Sequence, residues 1–360
     1  MIIKSVSLSD FRNYSNMEME FDPGTNILFG DNAQGKTNIL ESLYISGTTK
    51  SHKGSRDKDM IRFDKEEAHI RTVVEKKGIE YQIDLHLKKN RSKGIAVNKV
   101  PIKKASELFG ILNIVFFSPE DLNIIKNGPS ERRRFLDFEL CQLDKIYLYD
   151  LTKYNKVLLQ RNKLLKEIAF RPDLKSTLPV WDEQLVTYGK KIISRRQKFV
   201  EELNEIIHNI HLEISGGKEN LVLSYVPDTP ADELGEKLDQ VRAKDMKLCT
   251  TCAGPHRDDL SFVINGADIR KFGSQGQQRT SALSLKLSEI ELVKMVIHDT
   301  PVLLLDDVLS ELDSSRQNYL LNSIHNIQTI ITCTGLDEFV KNRFQINKVF
   351  YIKNGTVEKQ

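Results

Sequence analysis

Apolar positions divide the chain into stretches with different rhythms. Val6, Leu8, Phe11, Met17, Met19 and Phe21 recur at strand-like intervals, and residues 26–29 form a short apolar run ending at Gly30. Residues 70–74 and 81–87 predict a hairpin turning near Lys77-Gly78, and 111–117 predict another buried strand. From about residue 128 the period becomes helical. Leu148, Leu151, Leu158 and Leu165 mark one stripe. After a break from Pro172 to Pro179, Trp181, Leu185, Tyr188, Ile192, Leu203, Ile207 and Ile210 mark a longer one. Two antiparallel helices joined by a short loop fit this pattern, and the stripe gives Trp181 and Tyr188 a packing role. Leu283, Leu287, Ile290, Val293 and Ile297 predict a further helix, followed by apolar runs at 302–305 and 329–331. Continuous apolar runs of that length suit strands covered on both faces.

The first strand–helix junction carries chemistry. Between residues 26–29 and the helical pattern at 38–45 stands Gly30-Asp31-Asn32-Ala33-Gln34-Gly35-Lys36-Thr37, the spacing G-x-x-x-x-G-K-T. Such a loop turns its amides and the following helix start toward phosphate anions. Lys36 supplies positive charge near the β- and γ-phosphates, and Thr37 a hydroxyl for magnesium. The alternative is a glycine turn with a surface lysine, which the flanking strand and helix argue against. At the other end of the chain, the run 302–305 closes on Asp306-Asp307. Asp306 is placed to hold magnesium, and Asp307 to act as general base or to orient water. Alone, the pair could be a solvated strand end. The separation of the two motifs predicts an α/β fold whose sheet is built from both chain ends, with a large insertion between them.

Length and composition set the frame. The 360 residues suit two or three domains, and 39% hydrophobic with 29% charged residues is ordinary for a folded chain. The net charge of +3 permits a nucleic-acid partner without requiring one. No apolar stretch approaches membrane-spanning length, and four irregularly spaced cysteines do not make a disulfide scaffold, so a cytoplasmic setting is expected. Cys249-x-x-Cys252 with His256 offers at most three zinc ligands at the wrong spacing for a finger. Basic clusters occur at Lys50, His52, Lys53, Arg56 and Lys58, at Lys88, Lys89, Arg91 and Lys93, and at Arg132, Arg133 and Arg134. Each could contact a phosphate backbone without reading bases. The arginine triplet could instead enter an interior ion network with Asp137 and Glu139.

Ser274-Gln275-Gly276-Gln277-Gln278, which opens the helix at 283–297, resembles the signature motif of ABC-type ATPases. Asp306-Asp307 resembles their Walker B acids, although the second is more often Glu, and Ser310-Glu311-Leu312-Asp313 resembles their D-loop. A narrower resemblance is to the bacterial RecF family of DNA replication and repair proteins. It rests on Asp10-Phe11-Arg12-Asn13-Tyr14, Thr49-Lys50-Ser51-His52-Lys53, Ser118-Pro119-Glu120-Asp121-Leu122, Arg132-Arg133-Arg134-Phe135-Leu136-Asp137 and Gly254-Pro255-His256-Arg257-Asp258-Asp259. The order of these segments spans nearly the whole chain.

The resemblance implies an ABC-type head related to SMC-type ATPases, with a compact helical arm in place of a long coiled coil. The expected boundaries are 1–127 for the first part of the head, 128–248 for the arm, and 249–360 for the returning part with signature, Walker B and D-loop. It further implies ATP and Mg2+ as cofactors and a weak DNA-stimulated ATPase. An ATP-dependent homodimer would form on duplex DNA, with gapped or single-stranded DNA and other recombination mediators as further partners on the bacterial chromosome. Gly30 to Thr37, Arg12 and Asn13 would serve the nucleotide in cis, and Ser274, Gly276 and Gln277 in trans. The Asp313 loop would cross the shared interface. The usual switch histidine is missing from Thr332-Cys333-Thr334, leaving Thr334 as the candidate γ-phosphate sensor. The competing readings are a transporter ATPase subunit, a metabolic P-loop kinase and an SMC-like structural clamp.

Overall fold

A computed structural model describes residues 1–335 and 346–359. The chain separates into two compact units, Met1–Asp121 with Glu289–Gln360, and Leu122–Ser288. The first is therefore assembled from both chain ends. Its central sheet runs, in spatial order, Thr356–Lys359, Ile346–Lys353, Thr25–Phe29, Thr329–Cys333, Val302–Asp306 and Ile114–Phe117. Neighbours are parallel except for the pair formed by Ile346–Lys353 and Thr356–Lys359. Residues 302–305 and all of Ile114–Phe117 are buried, which accounts for their unbroken apolar sequence. The register sets Thr332 beside both Leu28 and Asp306, so these strands end along one edge. Ligand loops of open parallel sheets belong at that edge.

A second, antiparallel sheet in the same unit runs Tyr14–Glu20, Ile2–Phe11, Glu67–Lys76, Ile79–Lys88, Gly94–Val97 and Val100–Pro101. Here strand periodicity is plain. Ile70, Thr72 and Val74 are buried, as are Ile83, Leu85 and Leu87 on the neighbouring strand, while intervening residues are more open. The hairpin turns at Lys77 and Gly78, both with positive φ, the geometry that matches a two-residue connection to strand twist. Helix Lys36–Thr48 touches strands of both sheets and is buried along nearly its whole length. Its apolar residues consequently occupy several faces instead of one stripe.

The second unit is mainly helical. Helices Lys145–Ile168 and Leu178–Ile214 pack along one another and are joined through the 3-10 segment Pro172–Thr177. Pro179 falls in the first turn of the longer helix, where its missing N–H interrupts no helical bond. The first helix buries Tyr147, Asp150, Tyr154, Val157, Arg161, Leu165 and Ile168. That stripe is rotated from the predicted one, since Leu148, Leu151 and Leu158 are only half-buried. Buried charge lies along these helices. Arg161 is fully enclosed and donates to Asp182 at 2.6 Å, Asp245 at 2.7 Å and Thr251 at 2.8 Å. Arg196 donates to Asp137 at 2.7 Å, Asp258 at 2.8 Å, the Tyr147 hydroxyl at 3.0 Å and the Pro255 carbonyl at 2.6 Å. Apolarity alone assigns such arginines to the outside.

Strands Leu221–Val226, Asp259–Ile264 and Ala267–Asp268 form a small sheet in this unit. The first packs on helix Leu178–Ile214 and the second on helix Pro129–Leu143. These contacts place residues 249–288 with the helical unit, which runs from Leu122 to Ser288.

Candidate functional site

The phosphate loop connects strand Thr25–Phe29 to helix Lys36–Thr48. Gly30 has φ 149°, and a Cβ there would run into the Ile352 carbonyl. Gly35 has φ 115°, and a Cβ there would lie 2.6 Å from Asn13 Nδ2 and 2.7 Å from the Tyr14 hydroxyl. Both positions demand glycine. Asp31, Asn32 and Ala33 at the crest are exposed, whereas Lys36 is buried. Its ammonium donates to the carbonyls of Gly30 and Asp31 at 2.5 and 2.8 Å. Burial pulls its pKa below the ordinary lysine value, while the charges of Asp307, Asp306 and Asp31 oppose that shift. A second ring of bonds braces the loop from outside. Asn13 Nδ2 donates to the Gln34 carbonyl at 3.0 Å, Tyr14 to the Gly35 carbonyl at 3.1 Å, and the Gly355 amide to the Gln34 carbonyl at 3.2 Å. The Asn354 amide donates to Gln34 Oε1 at 2.7 Å. Asn354 and Gly355, from the final hairpin, carry no local sign of this duty in the sequence.

Asp306 ends strand Val302–Asp306. Its Oδ1 accepts from the Thr37 hydroxyl at 2.9 Å and from the Thr332 hydroxyl at 2.7 Å. The Asp307 amide donates to the Thr332 hydroxyl at 3.0 Å. Asp307 is exposed and has φ 53°, a left-handed conformation that aspartate tolerates better than most residues. Thr332 is thus the residue of the 332–334 segment bonded to the acids. Its available signal was a hydroxyl closing an apolar run that pairs with Val302–Asp306. Among the described residues, no group of three His, Cys, Asp or Glu side chains is placed to hold a metal. One hydroxyl and one carboxylate suit magnesium, which keeps water and phosphate oxygens in most of its positions. They do not suit a metal that needs a full set of protein ligands. The glycine cradle and Lys36 likewise suit a polyphosphate.

Arg12 sits beside Asn13 but turns to the helix. It donates to both Glu41 oxygens at 2.8 Å, to Ser55 at 2.7 Å and to the Asp59 carbonyl at 2.8 Å. Ser51 donates to the same carboxylate at 2.5 Å. Burial alone would raise the Glu41 carboxyl, but the Arg12 and Ser51 bonds reverse this and hold it below the usual range. Lys93 donates to the Thr49 carbonyl and Asp57 at 2.5 and 2.8 Å. His52 stacks on Phe116 with centroids 4.2 Å apart. The loop at 49–59 is therefore pinned from beneath, with Lys50, Lys53, Arg56 and Lys58 exposed.

In the helical unit, Ser274 precedes helix Gln275–Ile297. Its Oγ accepts from the Gln277 amide at 3.2 Å, and its own amide donates to Gln277 Oε1 at 2.9 Å. This reciprocal pair is a capping box. Phe272, Ser274, Gln275 and Arg279 are exposed, and Gly276 and Gln277 are half-buried. The arginine triplet divides. Arg132 is buried, donates to Asp259 at 2.6 and 3.1 Å and to the carbonyls of Ile124 and Asn127, and is unavailable to DNA. Its partner is Asp259, not Asp137 or Glu139. Arg133 donates to the Asp258 carbonyl, and Arg134 is exposed.

Fold and site define an α/β P-loop ATPase head of the kind found in SMC proteins. The family model described as RecF/RecN/SMC N terminal domain matches residues 2–358. The chain is 69% identical over 358 residues to the DNA replication and repair protein RecF of Agathobacter rectalis, covering 99% of each chain. It is 48% identical over 366 residues to that of Clostridium botulinum, covering 100% of each. Among solved structures, the recombination mediator protein RecF-ATP in the RecFOR pathway superposes with a TM-score of 0.94 at 37% identity. That match covers 99% of this chain and 97% of that one. The Smc head domain of Pyrococcus furiosus, at 16% identity and TM-score 0.57, shares the fold. The chain belongs to the RecF family of DNA replication and repair proteins.

Proposed function

We propose that this chain is a weak, DNA-stimulated ATPase that dimerises on duplex DNA when magnesium–ATP is bound and resets on hydrolysis. Residues 30–37 cradle the phosphates and Lys36 balances their charge. Thr37 and Asp306 would hold the metal, which would neutralise phosphate charge, and Asp307 would take a proton from the attacking water or orient it. Asn13 shapes the loop directly, and Arg12 does so through Glu41 on the same helix. Ser274, Gly276 and Gln277 act on the nucleotide of a second copy. Exposure of Phe272, Ser274 and Gln275 supports such a use.

The exposed lysines and arginine of the 49–59 loop supply sequence-independent DNA contacts, extending to gapped or single-stranded substrates. The complex then recruits or loads other recombination mediators on the bacterial chromosome, in the cytoplasm. Among the described residues, no helix is long and apolar enough to cross a membrane. Among the described residues the longest helix has 37 residues, about 55 Å, which is short for a chromosome tether. Family membership and this length favour the repair reading over a transporter subunit or an SMC-like structural clamp.

The observation that carries the proposal is the Thr37–Asp306 bond, made across 269 positions of sequence beside the Lys36 ammonium. Sedimentation with magnesium–ATP, magnesium–ADP or no nucleotide, with and without duplex, tests it. Dimers are expected with ATP and should be strengthened by DNA. A strictly monomeric protein at saturating ATP and DNA overturns the shared-site reading.

A further inference from the structure

The capping box at Ser274 does not end at Gln277. The Gln277 side-chain amide donates to Glu219 Oε1 at 3.1 Å. The other carboxylate oxygen, Oε2, lies 3.1 Å from His211 Nε2. His211 is fully buried in the last turn of the 37-residue helix Leu178–Ile214, and its Nδ1 lies 2.9 Å from the Ser284 hydroxyl. The carboxylate fixes the direction of the two bonds it makes. A carboxylate only accepts, so Nε2 carries a proton and donates to Glu219, as does the Gln277 amide. In the neutral ring Nδ1 then accepts from Ser284. The result is a continuous chain from the end of the long arm helix to the exposed serine that opens helix Gln275–Ile297.

We propose that Glu219 and His211 are positioning residues for Ser274, so that displacement of the arm helix reorients the serine a second copy would meet. Glu219 is the coupler, because its two oxygens tie the arm helix to the cap. Gln277 has both ends committed: its carbonyl holds the Ser274 amide and its NH2 holds Glu219. Movement at His211 pulls on Glu219, and through Gln277 on the backbone of Ser274. The chain itself is a property of the single subunit. Its effect on ATP-dependent association rests on the trans role proposed above.

The chain can be broken and rebuilt without touching the phosphate loop. Glu219→Ala removes the coupler. Gln277→Glu keeps a capping box, since a glutamate oxygen can accept from the Ser274 amide, but faces Glu219 with a second carboxylate. Combining Gln277→Glu with Glu219→Gln restores every bond with one reversed. The new amide at position 219 donates to the new carboxylate at position 277, and its oxygen still accepts from His211. Amide hydrogen exchange across residues 272–280, in nucleotide-free protein, reads the chain. We expect Glu219→Ala and Gln277→Glu each to speed exchange about tenfold, roughly 1.4 kcal/mol, and the double exchange of side chains to return it to wild type. Melting curves of each variant identify a change that merely unfolds the unit. Unchanged exchange in Glu219→Ala, or a double variant no slower than Gln277→Glu alone, overturns the proposal. Sedimentation with ATP is the second arm. Coupled exchange together with weakened dimers in Glu219→Ala supports both readings. Coupled exchange with wild-type dimerisation overturns the claimed effect on association and leaves the intact dimer reading standing. A wild type that never dimerises overturns the trans role by itself.

Discussion

The two units hold charged residues against different partners. In the first, Lys36, Asp306 and Asp307 gather at the open ends of parallel strands, and Asp306 and Lys36 are held by neutral hydroxyls and carbonyls. In the second, Arg132, Arg161 and Arg196 are enclosed and paired with carboxylates. A charge that makes no charge-neutralising contact of its own is ready for a charged ligand. A charge already neutralised in the interior is architecture. The phosphate loop is therefore expected to govern binding with little effect on folding, and the arginine centres to govern folding with little effect on binding.

The largest effect that could break this comparison is at Arg161. Arg161→Ala leaves Asp182 and Asp245 buried without that partner, and such losses run to about 3–5 kcal/mol. Denaturant unfolding should show that loss, while ATP affinity of the remaining folded protein stays at wild type. A loss below about 1 kcal/mol would mean that water or rearrangement replaces the guanidinium.

His256 gives a pH-dependent form of the same contrast. Its Nδ1 accepts from Tyr154 at 2.8 Å and its Nε2 donates to the Thr251 carbonyl at 3.1 Å, so both bonds use the neutral ring. Burial pushes its pKa down from 6.5 to about 4. The unfolded chain then binds more protons in that window. This contribution is complete above pH 6.5 and is lost as pH falls toward 4, on the order of 3 kcal/mol in all. Unfolding free energies measured from pH 7.5 to 4.5 should carry this slope in wild type and lose it in His256→Gln. An identical slope in the variant would assign the acid sensitivity to other groups.

At the phosphate loop, Lys36→Ala should leave thermal stability within about 1 kcal/mol, because its present bonds are to two backbone carbonyls. ATP affinity should fall about 10- to 100-fold, the worth of one charge-assisted bond to phosphate. Nucleotide titration alongside melting separates the two. Equal ATP affinity in wild type and variant would remove Lys36 from the site. Asp306→Asn should cost ATP affinity only when magnesium is present; an equal loss in chelator would reassign Asp306 to the loop's structure.

The smallest effect concerns the exposed loop at 49–59. Lys53→Gln should weaken duplex binding and reduce the slope of log affinity against log salt by about one, with no preference among sequences. An unchanged slope would place DNA elsewhere on the surface. Arg132→Gln should instead act as a folding defect, since its guanidinium is spent on Asp259 and two carbonyls.

What the amino-acid order determined by itself was local chemistry. The tight strand-to-helix loop at 30–37 is legible because Gly30 and Gly35 stand where φ is positive and a Cβ would clash. The strand at 302–305 is legible because burial on both faces leaves no polar position. Lys77-Gly78 is legible because two-residue turns demand positive φ. Tertiary structure alone decided which distant groups meet. Thr332 reaches Asp306 through the register of two strands, and Asn354 and Gly355 brace Gln34 from the final hairpin. It also decided that Arg132, Arg161 and Arg196 lie inside, and that residues 249–288 fold with the helical unit. An arginine's side of the surface depends on whether folding brings carboxylates to it. That pairing energy is set between positions far apart in the chain, and a pattern read along the chain carries no term for it.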